Sequence, residues 1–184
     1  MSDTCAETTL ETRTIYLSGE LDTESIHEVF KAVDIFEAQS SDPVRVVLSS
    51  IGGDENDGWA IYDALRTLSG HIRVEGYGSV WSAATIVLQA GDWRALAPNA
   101  TLLIHDSVVP KEDPPTNYGA LIRTTKAYRD AERRYLDMIV ARSCGQLRAD
   151  QVRRWSRNEK FMTAEMALSY GLADEIIQPR RGRK

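Results

Sequence analysis

Several features that would assign a protein to a special class are scarce or absent in this chain of 184 residues. The two cysteines, Cys5 and Cys144, have no metal-type spacing and provide no disulfide framework. No apolar run reaches the length of about 20 residues that a membrane-spanning helix needs. The first residues lack the basic-then-apolar pattern of a signal peptide. These absences predict a protein of the reducing cytoplasm, without a metal, a cofactor or a membrane partner.

Positive charge is also in short supply. The formal net charge is −5, so the composition indicates no general affinity for nucleic acid. Hydrophobic residues make up 42% of the chain and charged residues 27%, as in an ordinary soluble protein with one sizeable core. We therefore expect one domain over residues 13–178, a flexible N-terminal arm over residues 1–12 and a basic tail over residues 179–184.

Hydrophobic periodicity alternates between that of strands and that of helices along the whole chain, which predicts an α/β fold. We predict strands at 13–18, 44–48, 72–75, 93–96, 101–104, 161–163 and 174–178. We predict helices at 23–39, 59–70, 83–90, 119–143, 147–155 and 164–170. Thr23 is expected to cap the first helix, and Gly76 and Gly78 to break the strand that begins at Ile72. The proline-containing segment 108–118 is predicted to be an irregular loop.

Ser82 lies between a glycine-containing turn and an uncharged, small-residue helix. A serine in that place commonly caps the helix, because its hydroxyl accepts hydrogen bonds from free backbone N–H groups. The same place can also hold a serine oxygen rigidly as a nucleophile. Ser82 alone leaves both interpretations open.

His105 ends the strand 101–104, and the carboxyl ends of strands are where sites in α/β sheets usually open. Buried or surface histidines without a chemical role are nevertheless common. The glycine pair Gly52-Gly53 follows another strand, and it is either a flexible connection or a place where backbone N–H groups meet an anion. The acidic residues that follow it argue against a phosphate.

Four segments in this order resemble the proteolytic subunit of the Clp protease, ClpP, from about residue 13 to residue 177. They are Ser49-Ser-Ile-Gly-Gly, Gly78-Ser-Val-Trp-Ser-Ala, the segment 97–105 that ends in Leu-Leu-Ile-His, and the segment 161–174 that begins Phe-Met-Thr-Ala. The resemblance implies a crotonase-like α/β fold with repeated ββα units and a long projecting helix. It also implies serine peptidase activity on peptides or unfolded proteins inside stacked homo-oligomeric rings. An AAA+ unfoldase or a ClpP paralogue is the partner that it suggests.

Residue by residue, the resemblance makes Ser82 the nucleophile and His105 the general base. The family's third member is an aspartate, and Glu159 stands at the matching position, where its charge would orient His105. A surface charge beside Lys160 is the alternative for Glu159. The backbone N–H groups of Gly52 and Ala83 match the oxyanion-hole pair.

The segment 106–115 departs from the family, because prolines replace the glycine-rich strand that pairs with substrate. The stretch before the first strand is also short for the family's axial-pore loops. A catalytically impaired structural or regulatory ring subunit is therefore an alternative to an active peptidase. An acyl-CoA enzyme of the wider crotonase fold is a weaker one, since the chain shows no evident nucleotide-binding element.

Overall fold

The computed structural model describes residues 6–106 and 117–178. The strands in this part of the chain are β1 Ala6–Thr9, β2 Thr14–Leu21, β3 Val44–Gly53, β4 Ile72–Trp81, β5 Trp93–Leu96, β6 Thr101–Ile104, β7 Lys160–Thr163 and β8 Glu175–Ile176. The helices are α1 Thr23–Gln39, α2 Glu55–Arg66, α3 Ala83–Gln89, α4 Tyr118–Arg142, α5 Ala149–Arg157 and α6 Ala164–Ser169. The predicted α/β class is confirmed by this alternation.

One mixed sheet organises the fold. Its main path runs β1-β2-β3-β4-β5-β8, and β2 through β5 and β8 pair in parallel along it. Strand β4 also pairs in parallel with β6, which in turn pairs antiparallel with β7. The first half of β4 therefore lies beside β5, and its second half lies beside β6. The sheet branches along this one strand.

The predicted break is found at Gly78 but not at Gly76: β4 extends from Ile72 to Trp81, yet Gly78 has a φ of 55° and the register with β3 shifts between Gly76 and Val80. Glycine disfavours strands mainly through its entropy, and at Gly76 the neighbouring strands β3 and β5 hold the backbone extended. A side chain at Gly76 would collide with Leu96 and Val80, since its Cβ would lie 2.6 Å and 2.8 Å from their methyl carbons. The glycine therefore permits close packing at the branch point.

The predicted flexible arm over residues 1–12 also needs correction. Ala6–Thr9 forms β1, which pairs antiparallel with β2 in the register Ala6↔Leu17 to Thr9↔Thr14. Ala6 is buried against the core, so this short strand is fixed by the edge hydrogen bonds of β2 as well as by packing. Residues 1–5 and the predicted tail 179–184 lie outside the described residues.

Helix α1 follows its predicted bounds, but Asp22 rather than Thr23 caps it. The Asp22 carboxylate accepts a hydrogen bond from the Ser25 N–H at 2.9 Å, and the two residues form a capping box. The buried face of α1 contains Val29, Val33 and Phe36, in agreement with the three- and four-residue spacing of apolar residues.

Helix α4 is the long helix predicted from the sequence. Leu136 and Ile139 are its fully buried side chains, and both lie in its second half. The first half is exposed: Tyr118 is 78% accessible, Leu121 50% and Ile122 51%. Most of the predicted loop 108–118 lies outside the described residues. In the described ranges, no helix combines the length and apolarity needed to cross a bilayer.

Candidate active site

A cavity of about 410 Å³ opens between the start of α2, the start of α3, the end of β6 and one face of α4. Ser82, Ala83 and His105 all line it. The structure therefore brings His105 to the same cavity as Ser82 and Ala83, which lie more than 20 positions before it in the sequence. Parallel pairing of β4 with β6 explains this, since both strands deliver their carboxyl ends to the same edge of the sheet.

Ser82 joins β4 to α3 through a sharp turn. Its φ of 54° and ψ of −126° lie in a region that residues other than glycine rarely adopt. The Ser82 N–H donates to the carbonyl of Leu103 on β6 at 3.0 Å, which holds the turn against the neighbouring strand. The Ser82 hydroxyl makes no capping hydrogen bond to α3. The capping interpretation therefore does not account for this serine, and strained backbone of this kind is frequent at functional sites.

A pair of hydrogen bonds through Thr85 connects the Ser82 turn to α4. The Thr85 hydroxyl donates to the Ser82 carbonyl at 2.6 Å and is 2.8 Å from the Tyr135 hydroxyl. Burial raises the pKa of Tyr135, so this phenol stays protonated and able to donate. The long helix is thereby tied to the backbone of the candidate nucleophile.

His105 is half-buried at the end of β6. Its Nδ1 is 2.7 Å from the main-chain carbonyl oxygen of Asp106. A carbonyl oxygen can only accept, so Nδ1 carries the proton and donates it. In the neutral imidazole this tautomer leaves the lone pair on Nε2, where it can accept a proton. The neighbouring residue thus orients the imidazole through its backbone, a contact for which side-chain identity gives no signal.

Gly52 lies directly against the Ser82 turn. A Cβ on Gly52 would lie 2.7 Å from the Ser82 Cβ and 3.1 Å from the Ala83 nitrogen, and its φ is 96°. Only glycine fits there without displacing the turn. The Gly52 N–H, predicted to be an oxyanion donor, donates to the buried Ser50 hydroxyl at 3.0 Å.

Glu159 lies outside the lining of the cavity. Glu159 is exposed, and its backbone has a φ of 50° in the turn between α5 and β7. No hydrogen bond or ion pair joins its carboxylate to His105 within the described ranges. Its predicted role as the third catalytic member stays a prediction.

The cavity wall is more acidic than the sequence analysis anticipated. Four carboxylates line it, from Asp54, Glu55, Asp106 and Glu132, and its described lining contains no lysine or arginine. Burial, followed by repulsion from Asp54 and Asp22, raises the pKa of Asp57 near the same end of α2. The helical spacing of Tyr128, Glu132 and Tyr135 could have placed Glu132 on the inner face of α4.

Comparison with known proteins agrees with this fold. The family model for Clp protease matches residues 1–180. The ATP-dependent Clp protease proteolytic subunit 2 of Pseudomonas aeruginosa is 29% identical over 177 residues, spanning 95% of this chain and 86% of that protein. The subunit 2 of Treponema pallidum is 30% identical over 174 residues, spanning 93% of this chain and 85% of that protein.

Among solved structures, a ClpP1 mutant from Listeria monocytogenes superimposes with a TM-score of 0.80 at 25% identity, covering 92% of this chain and 94% of that one. A branched α/β sheet with a long helix and a Ser–His cavity at the strand ends is the architecture of a ClpP-type fold. The chain belongs to the Clp protease family.

Proposed function

We propose that this chain is a ClpP-like serine endopeptidase in which Ser82 is the nucleophile and His105 the general base. One observation carries the proposal. Ser82 and His105 line the same cavity, and Ser82 is held in a strained turn with its hydroxyl uninvolved in capping. The resemblance to ClpP proteolytic subunits supports the same assignment.

The chemistry would follow that of a serine hydrolase. The Ser82 Oγ attacks the carbonyl carbon of the scissile peptide bond while its proton passes to Nε2 of His105. The imidazolium then gives this proton to the leaving amine as the C–N bond breaks, which leaves an acyl group on Ser82. Water repeats the sequence on the acyl-enzyme, with its proton passing through His105, and restores the free serine.

The negative oxygen that forms during each attack needs hydrogen-bond donors. The Ala83 N–H lies at the start of α3, where helix N–H groups have no intrahelical partner. The Gly52 N–H would be the second donor, and it must exchange the Ser50 hydroxyl for the oxyanion. Catalysis therefore includes the release of one internal hydrogen bond.

Glu159 is proposed as the residue that stabilises the His105 imidazolium in the assembled protein. It is exposed in the single chain, so this role requires a local rearrangement when subunits associate. The left-handed backbone of Glu159 shows that its turn already stores strain of about 1–3 kcal/mol. In the single chain, the Asp106 carbonyl holds the imidazole instead.

We further propose assembly into stacked homo-oligomeric rings in the cytoplasm, with unfolded protein as substrate and an AAA+ unfoldase or a ClpP paralogue as partner. The exposed apolar residues at the start of α4 support an interface between subunits.

The test is covalent labelling with a fluorophosphonate, which reacts with activated serines, together with hydrolysis of a fluorogenic peptide. We expect the probe to label Ser82, identified by peptide mass mapping, and Ser82→Ala to abolish both signals. A well-folded, oligomeric protein that neither reacts with the probe nor cleaves any peptide would overturn the proposal.

A catalytically impaired ring subunit is the second candidate, favoured by two observations. Glu159 does not reach the cavity, and the Gly52 N–H is occupied by Ser50. In that case the chain would join rings with an active paralogue, and mixing the two proteins would give activity that Ser82→Ala leaves unchanged.

A further inference from the structure

The Ser82 carbonyl and the Ala83 N–H belong to the same peptide unit. This unit is planar and trans, so its C=O and its N–H point in opposite directions. The orientation of the Ser82 carbonyl therefore fixes the direction of the Ala83 N–H. That N–H is one of the two proposed oxyanion donors, and contacts made by the carbonyl thus bear on catalysis.

Two hydrogen bonds from Thr85 hold the carbonyl in place. The Thr85 N–H donates to the Ser82 oxygen at 2.9 Å, and the Thr85 hydroxyl donates to the same oxygen at 2.6 Å. Thr85 is 1% exposed, which leaves little room for water to compete. The backbone angles of Ser82 are strained, and such a conformation persists only where its surroundings hold it.

Tyr135 extends these contacts into a chain of two hydroxyl groups. Its oxygen is 2.8 Å from Oγ1 of Thr85, a distance at which either group could donate. Thr85 has one hydroxyl hydrogen and gives it to the Ser82 carbonyl, so the Tyr135 phenol is the donor to Thr85. Hydrogen bonds in a chain polarise one another, and the phenol therefore strengthens the bond from Thr85 to the carbonyl.

A glycine keeps open the space beside the N–H of the same peptide unit. A Cβ at Gly52 would lie 3.1 Å from the Ala83 nitrogen, closer than an ordinary contact. Ala83 lines the cavity, and its N–H, at the start of α3, has no intrahelical partner. The carbonyl side of the peptide unit is therefore tethered, while its N–H side is available to an oxygen of the substrate.

We propose that Thr85 and Tyr135 are positioning residues that aim the Ala83 N–H at the oxyanion through the Ser82 carbonyl. This inference rests on the proposed peptidase function and adds two residues to its site. Neither side chain touches the reacting atoms in this role. The benefit is confined to the tetrahedral intermediate and its flanking transition states, since only there does the substrate oxygen carry the negative charge.

The first measurement is peptide hydrolysis by single variants. Tyr135→Phe keeps the ring that lines the cavity and removes only the hydroxyl. We expect it to lower kcat about tenfold with KM within about twofold of the parent, because a misdirected donor costs part of the hundredfold or more that a lost donor costs. Thr85→Val should cost at least as much, and Thr85→Ser, which keeps the hydroxyl, should restore most of kcat.

A pair of inhibitors separates positioning from a general loss of structure. With a peptide aldehyde, the Ser82 Oγ adds to the aldehyde carbon, the serine proton passes to His105, and the aldehyde oxygen becomes an oxyanion facing the donors. The corresponding peptide alcohol occupies the cavity without forming this bond. We expect Tyr135→Phe to raise the inhibition constant of the aldehyde about tenfold and to leave that of the alcohol unchanged, whereas a disturbed cavity would weaken both.

Tyr62→Phe is the matched control, because Tyr62 lies on α2 outside the lining of the cavity. It should leave kcat and both inhibition constants unchanged. If Tyr135→Phe and Thr85→Val bind the aldehyde as tightly as a parent that a fluorophosphonate labels, the inference is wrong and the peptidase assignment stands. Should Thr85→Val fail to fold, Tyr135→Phe alone decides. A folded, oligomeric parent that is neither labelled nor active would overturn the peptidase assignment and the inference with it.

Discussion

The Gly52 N–H donates to the Ser50 hydroxyl across 3.0 Å, and Gly52 itself lies against the Ser82 turn. An N–H group so engaged is satisfied in the ground state but unavailable to a developing oxyanion. The hydrogen bond therefore links the stability of the turn to the reactivity of the serine beside it.

Ser50→Ala should separate these two effects. The buried Gly52 N–H would lose its partner, so we expect the free energy of unfolding to fall by about 1–3 kcal/mol. The same N–H would then be free to stabilise an oxyanion, so the rate of labelling by a fluorophosphonate should rise several-fold. Ser49→Ala is the matched control on the opposite face of β3. A variant with lower stability and slower labelling would show that Ser50 positions the donor rather than occupying it.

Replacement of Ser82 should distinguish chemistry from strain. Ser82→Ala and Ser82→Gly both lose the hydroxyl, and both should lower peptide hydrolysis by several orders of magnitude. Only glycine adopts a φ of 54° and a ψ of −126° without strain. We therefore expect Ser82→Gly to be more stable than Ser82→Ala by about 1–2 kcal/mol, measured by thermal unfolding. Equal stabilities would contradict a strained turn, and retained hydrolysis would contradict the nucleophile.

Glu159→Gln tests the proposed third member in the assembled protein. Loss of the negative charge should lower kcat by about a hundredfold or more, since the imidazolium of His105 would lose its stabilising partner. Glu159→Asp should retain measurable activity because it keeps the charge. Near-wild-type hydrolysis by Glu159→Gln would leave the Asp106 carbonyl as the group that orients His105.

We expect Asp174 to contribute to the loss of folding stability at low pH. This carboxylate accepts hydrogen bonds from the Arg94 N–H, Nε and Nη2, and the Arg94 side chain is 3% exposed. Burial acts to raise the pKa of Asp174, but the hydrogen bonds from Arg94 outweigh it and hold the pKa below its ordinary value of 3.8. Such a carboxyl contributes stability above its unfolded pKa, and the contribution is lost as the pH falls through the folded pKa.

Asp174→Asn should therefore lower the free energy of unfolding by about 3 kcal/mol at neutral pH, because Arg94 keeps a buried charge without its partner. It should also reduce the loss of stability below pH 4 that denaturant unfolding shows for the parent protein. Asp137→Asn, which removes an exposed carboxylate, should change neither quantity appreciably. Parallel acid profiles for parent and Asp174→Asn would assign the acid sensitivity to other groups.

The sequence predicts those parts of this fold in which the spacing of side chains decides the structure. Helix α1 follows its apolar spacing from Thr23 to Gln39, and β5 and β6 follow theirs. Strand β4 follows the sequence only in part: Gly78, with a φ of 55°, interrupts the pairing with β3 as predicted, whereas Gly76 is held extended between β3 and β5. Tertiary pairing overrode local preference there.

The sequence likewise predicts some features of the candidate site and not others. The positions of Ser82 and His105 at strand ends are visible in the sequence, and the structure brings both to one cavity. The Asp106 carbonyl that orients His105 is backbone and therefore has no sequence signature. The sequence does not predict the acidic wall, because Glu132 on α4 and Asp54 at the start of α2 come to one cavity only after folding.

The branching of β4 has a consequence for how new specificities could arise in this scaffold. Ser82 and His105 extend from β4 and β6, adjacent strands whose spacing of about 4.8 Å is set by backbone hydrogen bonds. The wall opposite them belongs to α4, whose first half is largely exposed. Substitutions on α4 can therefore change the lining of the cavity while the sheet keeps the separation of Ser82 and His105 unchanged.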